Sequence, residues 1–537
     1  MSRNPTIRFM VWRNFALMHS KSVKSQPSIN HLRAYLSMGV KANSVKTFIS
    51  HLLSILVQAK RSVLMARVIL ALVVFGVTAC AERLTSHAQD SAANATEIST
   101  NATAITDVTV IDAVHGVRKN QTVVFDGDNI VSVQTAGPPA DTARRIDGTG
   151  RYLIPGLWDF HVHLTYDERL TAVMPQLFLS YGITSVRDTG GLMHEILPVV
   201  EKMRAAGEIA PRVFFAGPLL DGEFVVYNGI GRPEIGVSVP TPELARQQVI
   251  EMHAQGVNFI KVYEMVQPEV FDALTEIAGE LDLPIDSHVP LSMRARDAGP
   301  RVSSIEHLRN IEMDCAAGAE KLHRARLALL QNDEGISGAA LRTAMHSEQR
   351  LPAIGDYDEA QCDIVIAALQ DTVMVPTLRL NSFVLLPPWQ RPDWQEALSR
   401  LPTNVSRDWQ TQAERRRSSP AGDPLFANWS MFLTNRMHDA GVPFGAGTDV
   451  PINLSVPGYS LHSELDMLVK AGLTPLEALE AATLEPAKFF GLEGNMGAIA
   501  EGQVADMVLL DADPLEDINN TKRIVMVISK GQRVVEQ

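Results

Sequence analysis

The sequence predicts an α/β protein, a (β/α)8 barrel of parallel strands with a small β-sandwich assembled from the two chain ends. Three observations predict it. Between about 156 and 488, short apolar runs alternate with longer helix-compatible stretches, as in successive βαβ units. Both flanks of that region read instead as alternating β segments. Imidazole and carboxylate residues recur at the ends of the apolar runs, where such barrels gather their reactive groups.

Size and composition are consistent with this. The chain has 537 residues, more than one average domain needs, and its 46% apolar content supplies ample core. A net charge of −13 argues against a nucleic-acid partner, because phosphate binding needs a basic surface. The charge is also unevenly placed. Residues 1–80 hold eleven Lys/Arg and no acid, which leaves the rest with a net charge of −24. A basic, acid-free leader reads as a targeting segment.

Within that leader, Met65-Ala-Arg precedes an apolar run from Val68 to Val77, followed by Thr78-Ala79-Cys80. A short basic region, about ten apolar residues and a small-residue cut site make a secretory signal, too short to span a bilayer. Val77-Thr-Ala-Cys80 resembles a bacterial lipobox, which implies cleavage before Cys80, acylation of its thiol, and membrane attachment through lipid. Ala81 after the cysteine implies the outer membrane of a Gram-negative envelope, facing the periplasm. Residues 1–64 read as an upstream extension and 81–104 as a flexible tether. Three cysteines form no disulfide framework; Cys315 and Cys362 either pair or remain buried thiols.

The folded part opens with β segments over 105–155, where Ile105-Thr-Asp-Val-Thr-Val-Ile alternates and Asp126-Gly127 marks a hairpin. Residues 489–537 match them, with Met507-Val-Leu-Leu and Ile524-Val-Met-Val-Ile. Between the two lie eight expected strands: Leu157–Leu164, Ile183–Asp188, Val213–Ala216, Phe259–Tyr263, Pro284–His288, Ser304–Leu308, Val373–Leu378 and Pro443–Asp449. The stretches after the sixth and seventh run about 60 residues each, long enough to wall a pocket at the C-terminal strand ends.

The chemistry gathers at those ends. His161 and His163 are two apart on the first strand, so both rings face one side and can reach one metal. His288, His307 and Asp449 close the fifth, sixth and eighth strands. One histidine at a strand end is ordinarily structural; four histidines and an aspartate at four strand ends point to a metal centre. Imidazoles with carboxylate suit Zn2+ or a similar ion. Lys261 lies inside the apolar fourth strand, where a charge is costly. It is either ion-paired or snorkelling, or a neutral amine that takes up CO2 and bridges two metals as a carbamate. Tyr263 shares its face, and His194 and Arg379 follow strands; these three are the candidate substrate contacts. Arg187-Asp188 and His462 read as structural.

Several motifs together resemble the amidohydrolase superfamily, in its imidazolonepropionase-like and prolidase-like branch. They are Ile154-Pro-Gly-Leu-Trp-Asp-Phe-His-Val-His, Ile260-Lys-Val-Tyr, Ser287-His-Val, Ile305-Glu-His, Gly447-Thr-Asp, Gly472-Leu-Thr-Pro-Leu-Glu-Ala-Leu and Gly502-Gln-Val-Ala-Asp-Met-Val. The resemblance covers about 105–537. It implies His161, His163 and Asp449 on one divalent metal, His288 and His307 on a second, and carboxylated Lys261 bridging them. The implied reaction is hydrolysis of an amide or peptide bond in a small substrate, such as a dipeptide or N-acyl amino acid. The metals would activate a bridging water, and Asp449 would move its proton. Cyclic amides, lactones and esters are alternative substrates on such a site. The non-enzyme alternative, a metal-free binding protein of the same fold, should have lost several of these ligands, and none is lost here.

Overall fold

The computed structural model describes residues 102–135, 144–332 and 335–536. The upstream extension, the signal segment, Cys80 and the tether as far as residue 101 lie outside the described residues. Among the described residues, no helix is long and apolar enough to cross a membrane.

Both chain ends meet in one sheet. Its N-terminal strands are β1 (Thr103–Asp112), β2 (Gly116–Asp126), β3 (Asn129–Thr135), β4 (Arg144–Asp147) and β5 (Tyr152–Pro155). β1 therefore starts inside the stretch expected as tether. Hairpin pairing of β2 with β3 turns at Gly127, with φ +53°.

The chain then builds a parallel region. Its strands are β6 (Leu157–Val162), β7 (Ile183–Asp188), β8 (Arg212–Phe215), β9 (Leu219–Asp221), β10 (Gly236–Ser238), β11 (Ile260–Val262), β12 (Ile285–Ser287), β13 (Ser304–Glu306) and β14 (Val373–Val375). The C-terminus returns to the first sheet as β15 (Met507–Leu510), β16 (Ile524–Ser529) and β17 (Gln532–Glu536).

The end sheet has eight strands in the order β17-β16-β15-β5-β1-β2-β3, with β4 alongside β1. It is a single sheet, where two stacked sheets were expected. Alternation explains why both its faces are apolar. Met507 and Leu509 pack with Ile105, Val110 and Phe125, while Val508 and Leu510 pack into the core of the parallel region. Each such buried side chain contributes about 1.5–3 kcal/mol relative to exposure.

The parallel strands form two sheets, β6-β7-β8 and β10-β9-β11-β12-β13-β14. Seven of the eight expected strands are present: β7 with the expected bounds, β8 one residue earlier, and the other five shortened; β9 and β10 were not anticipated. The eighth, Pro443–Asp449, is not a regular strand. It makes an isolated parallel bridge from Phe444 to Met374, and Val450, just past it, bridges Val162. Its backbone still bonds on both sides: Gly445 N donates to Met374 O at 2.9 Å, and Ala446 O accepts from Phe160 N at 2.9 Å. Glycine is required there, since a Cβ on Gly447 would stand 2.6 Å from His161 Cβ. That closeness brings Asp449 against the histidines. The Gly472-Leu-Thr-Pro-Leu-Glu motif has a local cause too: Thr474 and Glu477 form a capping box on helix Pro475–Ala481.

Cys315 and Cys362 are joined in a disulfide. The loop that it closes holds helices Ala319–Leu329 and Gly338–Gly355, most of the long stretch after β13.

Candidate metal centre

Four histidines turn the same way. Their Nδ1 atoms face outward to fixed partners: His161 to Glu306 Oε2 at 2.5 Å, His163 to Gly190 O at 3.2 Å, His288 to Glu264 Oε1 at 2.8 Å, and His307 to Thr377 Oγ1 at 2.7 Å. With Nδ1 engaged, Nε2 of each ring is free for the cavity that the four rings line together with Lys261 and Asp449. This is how a protein orients imidazole ligands to a metal. Asp449 completes the set. Its Oδ1 lies 3.3 Å from His161 Nε2 and 3.2 Å from His163 Nε2, and its Oδ2 lies 3.9 Å from His307 Nε2. Donor atoms of His161, His307 and Asp449 all fall within 4.8 Å of one another. The ring of His288 is 4.9 Å from that of His307.

The backbone is strained where it aims these groups. His307, Thr377 and Asp449 have φ of +64°, +46° and +58°, a region that non-glycine residues rarely occupy. Such outliers persist only where surrounding structure holds them, and they concentrate at functional sites.

Electrostatics separate the ligands. Burial pushes the Asp449 carboxyl up, but His161 outweighs it, with help from His163 and His307, and holds it well below the ordinary carboxylate range. Burial opposes charge on His161, yet Glu306 and Asp449 carry it up to about 9. Burial and Lys261 push His288 down to about 3, and burial and Arg309 hold His307 well below its usual value. His288 and His307 are therefore neutral at pH 7, the form that ligates a cation. The donor set fits a divalent metal of the borderline class.

Lys261 is buried, and its Nζ donates to Asp286 Oδ2 at 2.9 Å. Asp286 also accepts from Ser304 Oγ at 2.9 Å, with Arg187 Nη2 at 3.8 Å. The ion-paired arrangement is the one present. A carbamate on Lys261 would face this carboxylate as a second anion, so cations in the cavity would have to balance it.

The three candidate substrate contacts part company. Tyr263 lines the cavity, its ring 4.4 Å from that of His288. His194 is exposed on helix Met193–Ala205 and does not line it. Arg379 spends its guanidinium on the carbonyls of Thr448, Ile452 and Asn453, each at 3.2 Å. It anchors the loop carrying Asp449 rather than facing the cavity.

Other residues hold the candidate ligands in place and were not singled out from sequence. Glu306 accepts from His161 and, at 2.5 Å, from Arg187 Nη2, and is fully buried. Burial would raise its pKa, but His161, Lys261 and Arg187 hold it well below the usual range. Glu264 orients His288 and is met by Arg342 at 2.8 Å and His346 at 3.0 Å, both from helix Gly338–Gly355. The signal for both was a carboxylate beside a ligand motif, in Ile305-Glu-His and after Ile260-Lys-Val-Tyr. Arg187 and Asp188 are structural, as expected: Arg187 Nε donates to Phe160 O at 2.6 Å, and Asp188 accepts from Leu164 N at 2.6 Å. Past Ile452, an outer cavity of about 360 Å³ is lined by Tyr166, Arg169, Trp409 and Arg416.

Residues 431–534, which include Asp449, match the model of the amidohydrolase family. Over this segment the chain is similar to that family. The ochratoxinase of Aspergillus niger is 40% identical over 81 residues, 15% of this chain and 16% of that protein. The imidazolonepropionase of Deinococcus deserti is 39% identical over 87 residues, 16% of this chain and 21% of that protein. The chain thus spans about a sixth to a fifth of the length of these relatives. Its fold is that of a solved Xaa-Pro dipeptidase with methionine bound in its active site. The two superpose with a TM-score of 0.57 at 19% identity, over 81% of this chain and 100% of the other.

Proposed function

We propose that this protein is a metal-dependent amidohydrolase that hydrolyses the carbon–nitrogen bond of a small amide, a dipeptide or an N-acyl amino acid. The observation that carries the reading is the shared orientation of four buried histidines, each with Nδ1 tied outward and Nε2 turned to the cavity that Asp449 also faces.

In this reading His161, His163 and Asp449 would hold one divalent cation and His288 and His307 a second, and Lys261, once carboxylated, would be a further ligand. The bound cations supply Lewis-acid polarisation of the substrate carbonyl and an acidified water at neutral pH. Asp449 would take the proton of the attacking water at its carboxylate and pass it to the leaving nitrogen. Glu306 and Glu264 hold the rings of His161 and His288 in place while this happens. Tyr263 forms part of the substrate wall. The two parallel sheets and the segment Pro443–Val450 are, in the same reading, the wall of a (β/α)8 barrel. The name of the solved Xaa-Pro dipeptidase, whose fold this chain shares, supports the choice of dipeptide substrates.

The test is a screen of zinc-loaded protein against dipeptides, N-acyl amino acids, cyclic amides and lactones, read as amine release. Turnover confined to lactones or phosphoesters refutes the amide reading. Metal content tests the bridge: two equivalents per chain in wild type and a clear drop in Lys261→Ala support it. One equivalent in both, with activity retained, refutes it. The envelope location rests on residues 65–80 alone. Membrane fractionation that Cys80→Ala leaves unchanged refutes the lipid anchor.

A further inference from the structure

The arginines around the cavity are almost all committed. Arg187 donates to Phe160, Ser304 and Glu306, Arg342 to Glu264, and Arg379 to three carbonyls. Arg309 differs. It lines the metal cavity, is half-buried, and makes no hydrogen bond or ion pair among the described residues. A guanidinium partly removed from water without a partner is a costly arrangement.

Its backbone is fixed in place. Arg309 sits two residues past His307, inside a turn where His307, Leu308 and Asn310 have φ of +64°, +55° and +69°. Asn310 Nδ2 donates to Val289 O at 3.0 Å, and Asn310 Oδ1 accepts from Arg326 Nη1 at 3.0 Å. The turn is thus pinned on both sides, and the guanidinium is held at the cavity without any structural bond of its own. Its positive charge is felt at Tyr263, His288 and His307. Those three residues line the same cavity.

We propose that Arg309 binds the free carboxylate of the substrate and so selects anionic dipeptides and N-acyl amino acids over neutral amides. The guanidinium fork matches a carboxylate with two parallel N–H···O bonds. Arg309 thereby takes the role first expected of Arg379. The inference rests on the amide-hydrolase reading and adds the class of substrate.

The test uses zinc-loaded full-length protein and a panel of dipeptide analogues whose amide is replaced by a methylene-amine, so that they bind without being cleaved. Each is compared as C-terminal carboxylate and as C-terminal carboxamide. Calorimetry should show wild type preferring the carboxylate by about 10- to 100-fold. In Arg309→Gln that preference should vanish while carboxamide affinity stays the same, and Arg309→Lys should restore part of it. With cleavable dipeptides, Arg309→Gln should raise KM and leave kcat unchanged. A carboxylate preference intact in Arg309→Gln, or absent from wild type, overturns the proposal. So does an equal loss for both forms with a fall in kcat, which would place Arg309 at the reacting carbonyl. Wild type that binds carboxylates through Arg309 but cleaves no amide overturns the amide-hydrolase reading instead, and leaves the role of Arg309 standing.

Discussion

At the junction of helix Tyr459–Lys470 with the turn Ile518–Lys522, His462 is as buried as the histidines of the cavity, yet its ring is used differently. Nδ1 lies 2.9 Å from Thr521 Oγ1 and Nε2 lies 3.1 Å from Tyr181 O, so both nitrogens are spent inside the protein. Each cavity histidine ties Nδ1 to the surrounding protein and leaves Nε2 to the cavity, where those of His161 and His163 meet Asp449. Burial does not distinguish a ligand from a structural histidine. The spare nitrogen does, and so does the carboxylate that several spare nitrogens share.

Variants that remove the shared carboxylate should break the contrast most severely. Asp449→Asn keeps the shape but removes the negative charge among three imidazoles. We expect kcat/KM to fall about 10³-fold, with a loss of bound zinc measured by atomic absorption. Unfolding near His462 should be unaffected. Retained zinc and activity would mean that Asp449 is not a ligand.

Next in size is the support behind His161. Glu306→Gln leaves a side chain of the same shape but removes the charge that fixes the ring and pairs with Arg187. Zinc affinity should weaken about 10- to 100-fold, the usual cost of losing a carboxylate behind a ligand histidine. Competition titration with a chromophoric chelator measures it, and an unchanged affinity would remove Glu306 from the site.

The two sides of the cavity differ in how far the sequence revealed them. Around His161 and Asp449 the support comes from β7, β13 and the segment after Gly441, all short-range consequences of apolar strands and close-packed glycines. Those strands were legible from periodicity, and His161, His163, His288, His307 and Asp449 as candidates from residue type at strand ends; Lys261, inside its strand, left ion pairing and carboxylation both open. The eighth strand was legible only as a position. Its glycines permit the approach to Phe160 and His161 but also interrupt regular pairing.

Around His288 the support comes from Glu264, Arg342 and His346. The last two sit on a helix about 60 residues further along, in a stretch with no strand periodicity. Sequence spacing carries no record of such a contact, and the same long reach misassigned Arg379. Arg342→Met should therefore loosen His288 without touching His161, lowering zinc affinity about tenfold. Two-site titration should show the loss in one equivalent only. A loss shared by both would mean that the two sides are not supported separately.

The smallest effect on the cavity is expected at His462, and there the contrast is tested through pH. Burial, with Lys522 nearby, pushes its pKa down to about 3. In the unfolded chain it returns to about 6.5. Between those values the unfolded state binds a proton that the folded state refuses, so stability rises with pH across the window. This contribution is complete above pH 6.5 and is lost progressively as pH falls toward 3. From pH 8 to pH 5 it should remove about 2 kcal/mol of stability. Carboxylates that titrate in the same range, such as Glu464, whose pKa burial raises to about 7, add slopes of the opposite sign. The readout is therefore the difference between wild type and His462→Gln in urea melts of zinc-loaded protein at pH 8 and pH 5. A glutamine can keep one of the two hydrogen bonds and cannot take up the proton. The variant should be the less stable protein at pH 8, and the gap should narrow by pH 5. Zinc content and turnover at pH 8 should match wild type. A gap that stays constant would mean that His462 is protonated in the folded state, and the distinction drawn from its two occupied nitrogens would fail.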